Sequence, residues 1–189
     1  ALTMINDFYQ NGYMSKELIS MTQADMCASL FATGKSAMMV AGSWLNTNIQ
    51  NENPDLNYGV TVLPKMDDAS GQATSILGGE NMGVVAKDDT AGAVAFLKYY
   101  DQTDVMVEAM KQYGSFPPKT EAAKDPYWTE DPIQAEFITQ LETSIPRGPS
   151  ASWPSYSSAI QKGFQEALTM AKTPEQVAED TQAAVDAVK

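Results

Sequence analysis

The chain has 189 residues, enough for one good core or two modest lobes, and its 43% hydrophobic and 19% charged content is that of an ordinary soluble globular protein. Its net charge of −12 disfavours nucleic acid and anionic lipid, which call for clustered Lys and Arg, and no run approaches the ~20 apolar residues of a membrane-spanning helix. There is no His, which removes the commonest general base and metal ligand, and the single Cys27, set in an apolar stretch, reads as a buried structural thiol.

The predicted elements follow in chain order. The chain opens already in a helical pattern, from about Ala1 to Gln10, with Leu2, Ile5 and Phe8-Tyr9 on one face and Asn11-Gly12 as the stop. No charged leader precedes it, so the chain reads as cut from something longer. A second helix is expected from about Thr22 to Thr33, ended by Gly34. Ala37–Val40 reads as a buried strand. Gly42-Ser43 turns the chain into Trp44, with Ser43 as cap of a short helix to about Asn51.

Tyr58–Val62 is read as a strand closed by Leu63-Pro64, Asp67–Gly71 as a loop tip, and Met82–Ala86 as a further strand after Gly78-Gly79. Helices are expected near Thr90–Tyr100 and Asp104–Tyr113, each with an apolar stripe at i, i+3, i+4 and i+7; Gly114 ends the second. Asp131-Pro132 is a cap followed by proline at the first helical position. Beyond the rigid Pro146–Pro149 loop a helix runs from about Ser155 to Met170. The last helix opens on Thr173-Pro174-Glu175-Gln176, a capping-box spacing. Helices dominate, with three or four short strands between them.

No catalytic signature is present: no Gly-x-Ser-x-Gly elbow, no P-loop, no dinucleotide glycine motif. The acid pairs Asp67-Asp68, Asp88-Asp89 and Glu130-Asp131 read as solvated loop ends. No calcium-loop spacing or paired Cys suggests a metal site, and no cofactor is implied. What stands out is aromatic rings beside Gly and Pro. Trp44 follows Gly42-Ser43, Trp153 sits before Pro154 with Tyr156 beyond, and Tyr127-Trp128 follows Pro126. Each Trp has two readings, a core residue or a ring offered to a flat ligand such as a sugar, whose C–H face packs on an aromatic while amides and hydroxyls take its hydroxyl groups.

Phe31-Ala32-Thr33-Gly34-Lys35-Ser36-Ala37-Met38 followed by Gly42-Ser43-Trp44 resembles the F-x-x-G-K-x-A-M…G-x-W segment of the sugar-type extracellular solute-binding proteins of bacterial ABC importers, the maltose-binding-protein-like group. Asn57–Pro64, Gly78-Gly79, the Ala95–Tyr100 helix, Pro117-Pro118 and the Thr173–Val177 helix start fit the same order. The resemblance implies an α/β fold, a periplasmic-binding-protein-like (type II) lobe, helix-rich with a short-stranded mixed sheet, forming an incomplete two-lobed clamp. Residues 1–79 would form the main part of the carboxy-terminal lobe, 80–119 would belong to the amino-terminal lobe, and 120–189 would return. Hinge closure of such clamps is general behaviour of periplasmic binding proteins.

The resemblance further implies a carbohydrate ligand, membrane permease subunits as partners, a place outside the cytoplasmic membrane, and no enzymatic activity. It carries the ligand role onto Trp44, onto Gly78 and Gly79 with Glu80 and Asn81 at the crossover, and onto Trp153 or Tyr156. Asn46 stands where the maltose-binding protein has a second Trp, a difference that bears on which sugar is taken. The competing readings are a polyamine, a peptide or a ferric ion on the same fold, a carbohydrate-active enzyme such as a glycosidase, which needs two facing carboxylates, and an interaction module without a small ligand.

Overall fold

The computed structural model describes residues 2–65, 74–85, 90–147 and 150–188. The expected loop tip at Asp67–Gly71, Ala86 of the third expected strand, the Asp88-Asp89 pair and Gly148-Pro149 lie outside the described residues. The chain divides into two compact units, one of Ala1–Thr22 with Gly148–Lys189 and one of Gln23–Arg147.

The terminal unit is helical. Helix α1 (Leu2–Gln10) packs with α8 (Trp153–Leu168) and α9 (Pro174–Asp186). Gly12, in the left-handed region at φ 76°, lets the chain leave α1. The Thr173 hydroxyl accepts from the Gln176 amide while the Gln176 side chain accepts from Thr173 N–H, so the capping box that the spacing predicts is formed. Helices α8 and α9 approach closely at Gly163, where a Cβ would stand 2.7 Å from Thr181 Oγ1 and 2.9 Å from Val177 Cγ1. Ala167 and Val177 are buried at that contact. On α1, Asn6 and Tyr9 are buried, and Gln10 donates to the Leu168 carbonyl at 2.8 Å. On α8, Ile160 remains 37% exposed.

The central unit holds two apolar clusters. In the first, Met106 and Val107 of α5 (Thr103–Tyr113), Ala122 of a 3-10 turn (Ala122–Lys124) and Trp128 of α6 (Pro126–Thr129) pack together, with Met110, Phe116, Tyr127 and Ile138 around them. Gly114 ends α5 with φ 68°, as its position predicts. Asp131 caps α7 (Pro132–Leu141) by accepting from the Ile133 and Gln134 amides at 2.9 Å each. In the second cluster Cys27, Leu45 and Ile49 are surrounded by Phe31, Met39, Ala41, Leu56 and Tyr58. Cys27 is fully buried, and burial, then the charge of Glu52, raises its thiol pKa.

Four expectations are corrected. The helix expected over Thr22–Thr33 is a single turn, α2 (Gln23–Met26), that runs into a π-helical turn over Cys27–Phe31 before Gly34 stops it. Ala37–Val40 is neither a strand nor buried: Met38 is 86% and Val40 73% exposed. Neither Tyr58–Val62 nor Met82–Val85 pairs as a strand among the described residues. The only described pairing joins β1 (Ile76–Leu77) in parallel to β2 (Ile145–Pro146). A strand exists only where another backbone presents its polar groups, and apolar content alone does not supply one.

The unpaired stretch from Tyr58 to Leu63 is instead tied to α7, where the Gln140 side chain accepts from the Leu63 amide at 2.8 Å.

Candidate functional site

The best-defined of the expected ligand residues is Trp44. The chain turns at Gly42-Ser43, and α3 (Leu45–Glu52) starts from that turn: the Gly42 carbonyl accepts from Leu45 N–H at 3.1 Å and the Ser43 carbonyl from Asn46 N–H at 3.0 Å. Those backbone bonds satisfy the leading amides, so the expected Ser43 side-chain cap is not made. Trp44 itself occupies the cap position with helical dihedrals and without a side-chain cap bond. Ser43, Leu45 and Asn46 are buried, whereas Trp44 is 50% exposed. Its six-membered ring folds back over Gly42, where a Cβ would come within 2.0–2.5 Å of Cζ3, Cη2 and Cε3. A large ring half-open to water on a buried platform is an available apolar face.

Asn46 is placed differently from its expected role. It is 6% exposed, and its Oδ1 accepts from the Tyr58 hydroxyl inside the second apolar cluster. Burial, then the negative charge of Asp131, then Cys27, raises the Tyr58 pKa. Tyr58 meets Phe31 edge-to-face at 5.9 Å. Gly114 closes the far side: a Cβ there would lie 2.5 Å from Thr47 Oγ1 and 3.4 Å from both the Cα and the carbonyl oxygen of Trp44.

Gly78, Gly79, Glu80 and Asn81 follow β1 as one exposed run, and a Cβ at either glycine would meet nothing within 4 Å. Trp153 and Tyr156 lie three residues apart in the first turn of α8, both half-buried, with Pro154 between them. They belong to the terminal unit, whereas Trp44, Asn46 and Gly78–Asn81 belong to the central one. Trp128, the third tryptophan, is fully buried and is a core residue. Among the described residues no three His, Cys, Asp or Glu side chains are grouped to hold a metal ion, and no helix is long and apolar enough to cross a membrane.

Sequence reasoning missed Tyr58, Thr47 and the second use of Gly114. Tyr58 opens an extended run, and nothing local marks its hydroxyl as the partner of Asn46. Gly114 is recognisable as a helix terminator, but its approach to Trp44 joins positions 70 residues apart in the chain.

Comparison with known proteins decides the family. A family model described as "Bacterial extracellular solute-binding protein" matches residues 1–136. The chain belongs to that family. A 74-residue stretch is 31% identical to the galactooligosaccharide-binding protein of Bacillus subtilis (strain 168), covering 39% of this chain and 17% of that protein. The fold is shared with solved structures of lower identity. The mannobiose-bound CpMnBP1 protein superimposes with a TM-score of 0.80 at 22% identity, over 97% of this chain and 47% of that one. A cyclo/maltodextrin-binding protein complexed with maltotetraose gives 0.67 at 19% identity, over 98% and 46%. This solute-binding-family chain thus has the periplasmic-binding-protein-like fold and spans about half the length of those neighbours.

Proposed function

We propose that this chain is the carboxy-terminal half of an extracytoplasmic solute-binding protein that captures a carbohydrate and delivers it to the permease of an ABC importer, breaking no bond. The observation that carries the reading is Trp44, a half-exposed indole seated on Gly42 above a buried platform. Family membership supports it, and so do relatives that hold oligosaccharides.

In this reading the Trp44 ring takes the C–H face of a sugar ring, and the exposed Gly78–Asn81 run supplies backbone and side-chain partners for hydroxyl groups. Trp153 and Tyr156 offer a second aromatic pair. Residues 80–119 serve a second lobe, and 1–79 with 120–189 serve the first. The apolar exposure on α4 (Ala91–Tyr100) fits that role: Phe96 of the expected stripe is 56% exposed, and Tyr99, outside that stripe, is 57% exposed.

The test is a thermal-shift and calorimetric screen of the full-length protein against mono- and oligosaccharides, polyamines and short peptides. A ligand present at 100 times its Kd raises native stability by about 2.7 kcal/mol. A neutral sugar should shift the melting temperature, with affinity nearly independent of salt. Shifts caused only by a polyamine, and lost as salt rises, would replace the carbohydrate reading with a cationic ligand. Release of sugar from a glycoside panel would replace it with an enzyme.

A further inference from the structure

Three contacts fix the surroundings of Trp44: two touch it, at its ring and at its backbone, and one holds the helical turn that follows it. The first lies under the ring. Gly42 has no left-handed φ, so its backbone is one that an alanine adopts without strain. What forbids a Cβ is the Trp44 ring itself, 2.0–2.5 Å from where that carbon would stand. The second lies in the first turn of α3. There Asn46, two residues after Trp44, is tied to the Tyr58 hydroxyl, and Tyr58 is anchored in the apolar cluster with Phe31 and Cys27. The third is Gly114, against the Trp44 backbone.

We infer that Gly42 and the Asn46–Tyr58 pair are positioning residues for Trp44: they set the tilt of its ring and so the affinity of the ligand it meets, without touching that ligand. This rests on the carbohydrate reading above for its consequence, though not for its geometry. It gives Asn46 a role through Trp44 rather than on the sugar. A ring packed on a bare α-carbon has one side determined by the backbone. A first turn bonded to the core cannot rotate to let the ring settle elsewhere. Preorganisation of this kind raises affinity by removing the cost of ordering the ring at binding.

The experiment uses the full-length protein labelled with fluorotryptophan, with the Trp44 resonance assigned through Trp44→Phe. Gly42→Ala and Tyr58→Phe are each compared with the parent for Trp44 chemical shift, melting temperature and oligosaccharide Kd, the last measured well below every melting point. Gly42→Ala should move the Trp44 resonance while those of Trp128 and Trp153 stay in place, and should raise Kd by about tenfold. Tyr58→Phe should act in the same direction and more weakly.

An unmoved Trp44 resonance in both variants overturns the inference. So does a moved resonance with unchanged Kd, provided that Trp44→Ala itself weakens binding. If Trp44→Ala leaves sugar binding intact, the carbohydrate role of Trp44 has failed, and the positioning geometry is judged by the resonance alone. A purely structural role would lower the melting temperature and leave both the resonance and the Kd of the folded protein as they were.

Discussion

Two tryptophans of the central unit have opposite fates. Trp128 follows Asp125-Pro126 and is fully buried; Trp44 follows Gly42-Ser43 and is half exposed. Each is tied to a short helix: Trp128 lies in α6 two residues after Pro126, and Trp44 caps α3 two residues after Gly42. Around Trp128, α5, the Ala122–Lys124 turn and Ile138 of α7 close from several sides, and Tyr127 meets its ring edge-to-face at 5.3 Å. Around Trp44 the ring lies against the bare α-carbon of Gly42, Gly114 approaches the Trp44 backbone, and half of the residue stays open to water. The flanking residues set the local turn. Burial is decided by whether distant elements arrive on the remaining faces.

The comparison is broken most easily at the buried ring. Trp128→Ala should cost about 3–5 kcal/mol of stability, the usual range for emptying a large core site. Denaturant unfolding of the full-length protein measures it, and a loss below about 1 kcal/mol would mean that Trp128 is not a core residue. A second close contact calibrates what a glycine under a neighbour is worth. Gly163→Ala pushes a Cβ into Val177 and Thr181 at the α8–α9 crossing. Overpacking costs about 1–3 kcal/mol and the gain in helix preference returns about 1, so a net loss near 1 kcal/mol is expected. A stabilised variant would show that the two helices part freely.

The smallest of these effects is electrostatic and separates the Trp128 side by pH. Asp125 caps α6 by accepting from the Tyr127 amide and pairs with Lys111 at 3.3 Å. Its pKa is lowered first by the Tyr127 amide bond and then, against a desolvation that raises it, by Lys111. A depressed folded-state pKa contributes stability that is present above the ordinary carboxylate range and lost as pH falls through the folded value. Asp125→Asn should therefore flatten the acid limb of the stability curve slightly. An acid limb as steep as the parent's would remove Asp125 from the account.

The helices were legible because their signals are local. Asp131-Pro132, the Thr173–Gln176 box and Gly114 each announce a terminus from adjacent residues, and each terminus is formed there. The strands were not, because Ala37–Val40 and Tyr58–Val62 carry apolar content without any local sign of what lies beside them. The stripe on α4 is only partly covered: Leu97 and Tyr100 are half-buried while Ala93 and Phe96 stay exposed, since spacing places residues on a face and does not decide how much of it a neighbour covers. At the site, Trp44 was visible through its motif and its adjacent glycine. Its supports were not. Tyr58 reaches Asn46 across 12 positions and Gly114 reaches Trp44 across 70.

The central claim is that Trp44 belongs to the ligand rather than to the core. The most direct test is Trp44→Ala in the full-length protein, with melting temperature and oligosaccharide affinity measured on the same sample. A ring half open to water contributes little to the ligand-free fold, so stability should change by about 0.5 kcal/mol or less. Binding should weaken by about 1–3 kcal/mol, as for a central aromatic anchor. A loss of several kcal/mol of ligand-free stability, with affinity unchanged in the fraction that stays folded, would contradict the claim and place Trp44 beside Trp128 as a core residue.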